Sequence, residues 1–279
     1  MIELPEALVI AGQMNETIQG KQIASAMRGN APHKFAFYTR APEEYAEILK
    51  GRRIGPARGH GGLILIGVEP EYLLALGGGG ERIALHRDAK TLPKKHQLLL
   101  HFSDGGYLTV TVQGWGAVLL FHDSEIPGHP WVGKPGVSPL SDAFSYEFFQ
   151  ARFGELKEND ASSVKFFMIS KPGVWGVGNG CLQDILFRAR IHPRRRALDL
   201  SETERRALHA ATRETLRQMV AQGGRDGEID LYGQRGGYQR ILSSETAGKP
   251  CPECGAAIEK IQYLGGASYF CPRCQSQGA

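Results

Sequence analysis

The sequence predicts a multidomain α+β protein, and three observations carry that prediction. Short apolar runs broken by glycines fill residues 21–122, the texture of a β-sandwich or barrel. Helical periodicity with end signals takes over after residue 141. Four of the five cysteines fall in the last 29 residues, as two tight pairs. The boundaries drawn from these shifts are 1–130, 131–224 and 225–279.

The chain opens on a helix. Pro5 suits a first helical turn, Leu8, Ile10, Ala11, Met14 and Ile18 recur at helical spacing, and Gly20 stops it. Strands follow at 34–39, 61–68, 72–77, 81–87 and 96–112. The last holds its own hairpin, turning at Ser103-Asp104-Gly105-Gly106 between two alternating runs. Residues 123–141 are rich in proline and glycine and read as the interdomain linker. Beyond them, Ser141 is placed to cap a helix carrying Phe144, Phe148, Phe149 and Phe153, a core-packing cluster. Ser201 with Glu204 makes a capping box for a second helix, which Gly223-Gly224 end.

Composition narrows the function classes. At 279 residues, with 42% hydrophobic and 22% charged residues, the chain is ordinary globular protein. No apolar run approaches the ~20 residues that span a bilayer, so a membrane role is not expected. The N-terminus lacks the basic cluster of a signal peptide, and the clustered cysteines suit a reducing compartment, so a cytoplasmic location is expected. A net charge of +4 permits a polyanionic partner without demanding one.

Cys251, Cys254, Cys271 and Cys274 form a C-x2-C-x16-C-x2-C pattern. Four soft thiolates close a tetrahedron and leave no position for water, so the expected metal is structural Zn2+. The intervening residues can form a β-hairpin. Cys181 stands apart as a small buried residue. Gly176-Val177-Gly178-Asn179-Gly180 precedes a short helix from Cys181 to about Ala189, and a glycine-lined helix start suits an anion. Arg188, Arg190, Arg194, Arg195 and Arg196 follow closely, a footprint suited to a nucleic-acid backbone.

Together these pieces resemble one family. Glu3-Leu4-Pro5-Glu6, Gly176-Val177-Gly178-Asn179, Ile191-His192-Pro193, Tyr232-Gly233 and the four-cysteine finger occur in the order found in the formamidopyrimidine-DNA glycosylase / endonuclease VIII family. The resemblance covers essentially the whole chain. It implies an N-terminal β-sandwich, a helix-two-turn-helix domain and a C-terminal zinc-finger hairpin. It implies duplex DNA with a damaged base or abasic site as partner, with the nucleotide flipped out of the stack by a monomer. Asn179, beside Gly178, and the finger would hold phosphates, and Lys165 would lie in a segment approaching the lesion. Arg194 belongs to the basic run.

The family nucleophile is the N-terminal amine, normally of a proline exposed by removal of Met1. An α-amine, with an ordinary pKa of ~7.7–8, is partly free base near neutral pH. Glu3 would move protons at the sugar and Glu6 would support the terminus. Here Ile2 replaces the proline. A bulky second residue predicts that Met1 stays, which moves the amine by up to ~3.5 Å along the chain.

Other family positions differ too. The basic residue expected near 58–63 is replaced by Gly61 or Gly62, with Arg58 and His60 nearby. The loop that usually wedges a bulky residue into the stack reads Gly77-Gly78-Gly79-Gly80, which could open room for a bulky adduct; Trp115 is the remaining candidate wedge. Gly265-Gly266 replace the finger arginine, leaving Lys260 and Arg273 as nearby cations. Three functions follow: a glycosylase with lyase activity through the amine of Met1 or of a processed Ile2; a glycosylase using water activated by Glu3 or Glu6; and a damage-binding protein without chemistry.

Overall fold

The computed structural model describes residues 1–31, 33–158 and 160–276. The chain divides into two compact units. One comprises Met1–Pro135 with Gln222–Gly237; the other comprises Gly136–Ala221 and the chain from Tyr238 onward.

The first unit begins with α1 (Leu4–Thr17), where Pro5 stands in the first turn and the Glu6 carboxylate accepts the Glu3 backbone N–H at 3.1 Å. Its strands are β1 (Ile23–Met27), β2 (Ala36–Phe37), β3 (Arg53–His60), β4 (Leu63–Glu69), β5 (Tyr72–Gly77), β6 (Glu81–His86), β7 (Leu98–Phe102), β8 (Tyr107–Val112) and β9 (Gly116–His122). They form a five-stranded sheet, β2-β9-β5-β4-β3, and a four-stranded sheet, β1-β7-β8-β6. The expected hairpin is β7–β8.

The core draws Ile64, Ile66, Leu74, Leu76, Val118 and Leu120 from the larger sheet. Ile83, Leu98, Leu100, Leu108 and Val110 come from the smaller, and Ile10, Met14 and Ile18 from α1 and its end. The opposite face of the larger sheet carries Leu63, Leu65, Leu73, Ala75, Leu119 and Phe121, packed with Val132 and Ile126. Burial on both faces explains why β4 is a continuous apolar run instead of an alternating one. It also explains much of 123–141: this stretch starts as a 3-10 turn (Asp123–Gly128) and covers that face before the unit ends at Pro135.

Strands β1 and β9 lie outside the expected strand ranges, as do two elements whose sequences carry little sign of them. Helix α2 (Pro42–Leu49) buries Tyr45 and Leu49 in the core. Strand β3 contains Gly55, Pro56 and Gly59 and pairs with β4 through an irregularity between Ile54 and Ala57.

The second unit holds α3 (Tyr146–Ala151), α4 (Val164–Ile169), α5 (Asn179–Ala189), α6 (Glu202–Ala221) and the hairpin of β10 (Glu259–Tyr263) and β11 (Gly266–Phe270). The α3 cap is Ser145, whose Oγ accepts the Phe148 N–H at 3.1 Å, not Ser141 as expected. Ser141 instead donates to the Ser138 carbonyl in the preceding turn. The α6 capping box is present: Glu204 accepts from the Ser201 N–H at 2.7 Å, and Ser201 accepts from the Glu204 N–H at 3.2 Å.

The boundary expected between 224 and 225 is replaced by a different division. Residues 222–237 return to the sandwich, because Leu231 fills its core and the Leu85 N–H donates to the Leu231 carbonyl at 2.9 Å. That bond covers the outer edge of β6, which would otherwise present unpaired backbone. From Tyr238 the chain joins the helical unit. The buried Asp184 of α5 accepts the Ile241 and Leu242 N–H groups at 2.9 and 2.8 Å and the Tyr238 hydroxyl at 3.0 Å. The metal-binding finger therefore packs within that unit. No helix among the described residues is long and apolar enough to cross a membrane.

Candidate active site and nucleic-acid contacts

The N-terminus of the first unit borders a cleft of about 410 Å³ whose lining includes Met1, Ile2, Glu6, Glu81, Trp115 and Glu228. The structure brings Met1, Ile2, Glu3, Glu6 and Trp115 into one neighbourhood. Their roles there differ from one another. Met1 is 48% exposed, and its α-ammonium donates to Glu228 Oε2 at 2.5 Å. Ile2 is 5% exposed, and its backbone N–H donates to the Gly79 carbonyl at 2.8 Å.

Glu3 and Glu6 are buried at the start of α1, and Arg225 is buried against both. Arg225 Nε donates to Glu6 Oε1 at 2.9 Å, Nη2 to Glu6 Oε2 at 2.7 Å, and Nη1 to Glu3 Oε1 at 3.1 Å. Nη2 also donates to the Met1 carbonyl at 2.8 Å. The planar guanidinium fork matches two carboxylates and a carbonyl at once, which an ammonium could not do as well. Arg225 and Glu228 were not anticipated. The only trace they leave in sequence is charged residues inside the glycine-rich run 223–227, which has no local pattern pointing to residues 3 and 6.

The glycine loop after β5 does not open the site. A Cβ on Gly79 would lie 2.2 Å from the Trp115 carbonyl oxygen, and one on Gly80 would lie 1.8 Å from that of Gln113. The loop is glycine because the turn at 113–115 packs directly on it: the Gly80 N–H donates to the Trp115 carbonyl at 2.8 Å, and the Gln113 N–H to the Gly80 carbonyl at 2.7 Å. Glu81 locks the arrangement by accepting the Gly79 and Ala117 N–H groups at 2.8 and 2.6 Å, and burial raises its carboxyl pKa. The expected space for a bulky adduct is therefore filled by the neighbouring turn. Trp115 stands at that turn, 42% exposed, where a ring can meet a base. His60 is instead buried, with Nε2 at 3.0 Å from the Trp131 carbonyl oxygen; burial lowers its pKa.

In the second unit the expected DNA contacts gather around the finger hairpin. Gly178 is the N-cap of α5 in extended conformation. Asn179 Nδ2 donates to the Ala267 carbonyl at 2.9 Å, and its buried Oδ1 has no hydrogen-bond partner among the described residues. Lys165 is fully buried; Nζ donates to the Tyr263 carbonyl at 2.7 Å and to Ser268 Oγ at 2.9 Å, and burial lowers its pKa. It fastens the hairpin from beneath.

Arg194 is exposed with its guanidinium 5.1 Å from the Tyr263 ring centre, and Lys260 is exposed on β10. Three others of the arginine run make contacts within the fold. Arg196 donates to the Asp160 and Glu158 carbonyls at 2.8 and 3.0 Å, Arg195 pairs with Glu204 at 3.6 Å, and Arg188 donates to Gln218 at 2.8 Å.

The four finger sulfurs lie within 4.8 Å of one another, with Cys251–Cys274 at 3.9 Å and Cys254–Cys271 at 3.4 Å. A tetrahedron with Zn–S near 2.3 Å needs edges of ~3.8 Å, so this donor set fits a structural Zn2+. Cys181 is buried and apart from them, as expected.

Comparison with known proteins agrees with this geometry. Residues 1–114 match the formamidopyrimidine-DNA glycosylase N-terminal domain, 136–229 its H2TH domain, and 248–277 the zinc finger found in FPG and IleRS. A formamidopyrimidine-DNA glycosylase of Roseiflexus sp. is 32% identical, covering 99% of this chain and 100% of the relative. One of Gluconobacter oxydans is 30% identical over the same shares. Among solved structures, Lactococcus lactis Fpg in complex with abasic-site DNA superposes with a TM-score of 0.85 at 23% identity, covering 98% of this chain and 99% of that one. The MutM (FPG) protein of Thermus thermophilus superposes at 0.82 with 25% identity, covering 99% and 100%. The sandwich with its N-terminal carboxylates, the helical unit and the four-cysteine finger thus have one common source, and the chain belongs to the formamidopyrimidine-DNA glycosylase family.

Proposed function

We propose that this protein is a DNA N-glycosylase. It binds duplex DNA at a damaged base, excises that base from its flipped nucleotide, and cleaves the strand through an imine formed by its N-terminal amine. One observation carries the reading: the α-ammonium of Met1 stands beside a carboxylate at the edge of a cleft of about 410 Å³ that Trp115 also lines. A primary amine can attack C1′ of the deoxyribose as the base leaves, and the resulting iminium activates the sugar for elimination. Arg225 contributes by fixing the Glu3 and Glu6 side chains at the start of α1, where a carboxylate can face the sugar's developing positive charge.

Asn179, Arg194 and Lys260 supply phosphate contacts in the helical unit. The zinc, closed by four thiolates, supplies stability and no chemistry. The protein works as a monomer on cellular DNA in the cytoplasm, at the nucleoid in a bacterial host. The relatives' glycosylase names support this activity.

The test is base release by mass spectrometry from duplexes carrying a ring-opened or oxidised purine, with strand scission scored before and after alkali. Release with scission is expected. Release from an uncut strand would point to activated water instead. Tight binding with no release from any damaged duplex would sink the reading and leave a damage-binding protein.

A further inference from the structure

We infer that Glu228 is the proton carrier for the Met1 α-amine. The inference rests on the amine-based reading above and names the residue that makes a retained Met1 competent. The Ile2 nitrogen is a buried amide spent on the Gly79 carbonyl. The Met1 nitrogen is one residue further out, at the cleft and 2.5 Å from Glu228 Oε2.

The other carboxylates near the amine are committed. Both Glu6 oxygens and Glu3 Oε1 accept from Arg225. Glu81 is buried with its oxygens on the Gly79 and Ala117 N–H groups. The cations nearby are Arg225, whose Nη2 lies 3.9 Å from Glu228 Oε1, and Arg82, which lines the same cleft. Among the described residues, Glu228 is the carboxylate hydrogen-bonded to the amine.

The proton balance closes on an abasic-site aldehyde. The ammonium gives a proton to Glu228. The freed lone pair forms the N–C1′ bond as the carbonyl pair moves to oxygen. A proton shifts from nitrogen to that oxygen, giving a carbinolamine. Glu228 then returns its proton to the hydroxyl, which leaves as water, and the nitrogen lone pair forms the C=N bond. Net, ammonium and aldehyde become iminium and water, with Glu228 restored.

The experiment traps this iminium with borohydride on a duplex carrying one abasic site, using the full chain. The reduced adduct is expected on the peptide that begins with Met1. Glu228→Gln should trap at least ~10-fold more slowly at pH 7, modest beside the usual range for acid–base groups. The gap should narrow toward pH 9, where an α-amine is free base without help. Glu228→Asp should recover most of the rate. DNA affinity should not fall in either variant.

Trapping by Glu228→Gln as fast as wild type or faster at pH 7 would overturn the assignment, since the carboxylate would then merely hold the ammonium charged. An adduct on Ile2 or on a lysine would overturn it as well. Absence of any wild-type adduct also overturns it; concurrent release of a damaged base would show that the glycosylase reading survives, and no release would show that both fail.

Discussion

Arg225→Met keeps most of the side-chain volume and removes the guanidinium from the buried N-terminal cluster. The wild-type group makes four hydrogen bonds of 2.7–3.1 Å to Glu6, Glu3 and the Met1 carbonyl through its side chain. Arg225, Glu3 and Glu6 are each 2–4% exposed, so water cannot replace those bonds. Removing one partner of a buried ion pair costs about 3–5 kcal/mol, because the charge left behind remains desolvated. At ~2–4 °C per kcal/mol for a unit of this size, the sandwich should melt ~6–20 °C lower at pH 8. Adding Glu6→Gln removes one orphaned charge and should recover ~1–3 kcal/mol, the usual scale of coupling between contacting residues. Because the two units need not melt together, thermal scans should be paired with hydrogen exchange at the first turn of α1. A loss below ~1 kcal/mol at pH 8 would refute the premise that Arg225 neutralises both carboxylates.

Three further outcomes are expected. Cys254→Ser should lose zinc, measured by metal analysis, and lower the melting temperature of the helical unit; full stability without metal would contradict the structural role. His192 is buried, with Nδ1 accepting the Arg194 N–H at 3.1 Å, and burial followed by the Arg194 charge lowers its pKa. Its contribution is therefore complete above the ordinary histidine value of ~6.5 and lost as pH falls below it; His192→Asn should flatten stability against pH below ~6.5. Trp115→Ala should weaken binding to an abasic-site duplex by ~1–3 kcal/mol with little change in melting temperature, and unchanged affinity would remove Trp115 as a stacking ring.

The sequence disclosed those parts of the molecule that carry local signals. The β7–β8 hairpin announces itself through Gly105-Gly106 between alternating runs, α6 through Ser201 and Glu204, and the finger through cysteine spacing. Helix α2 was hidden because only Tyr45 and Leu49 of its eight residues are buried, too few to establish a period. Strand β3 was hidden because Gly55, Pro56 and Gly59 are poor strand formers, and its pairing with β4 overrides propensity.

At the site, Glu3, Glu6 and Met1 were legible from resemblance, and Arg225 and Glu228 were not. Arg225 and Glu6 stand 219 positions apart, and contacts of that separation have no periodicity to read. The glycine loop was visible but misjudged: four glycines suggested open space, and the close approach of the Trp115 turn shows they are there to be packed upon.

The return of residues 222–237 to the sandwich means that the sandwich unit is not encoded as one continuous stretch. A fragment ended at Pro135 would lack Leu231 from its core and Arg225 from its carboxylates, and so should be recovered misfolded however well its terminus is chosen. A single proteolytic nick in 123–135 likewise leaves two covalent crossings between the units, near 221 and 237. Transplanting this sandwich onto another DNA-binding module therefore requires moving both of its chain segments, so shuffling whole gene segments cannot readily exchange it.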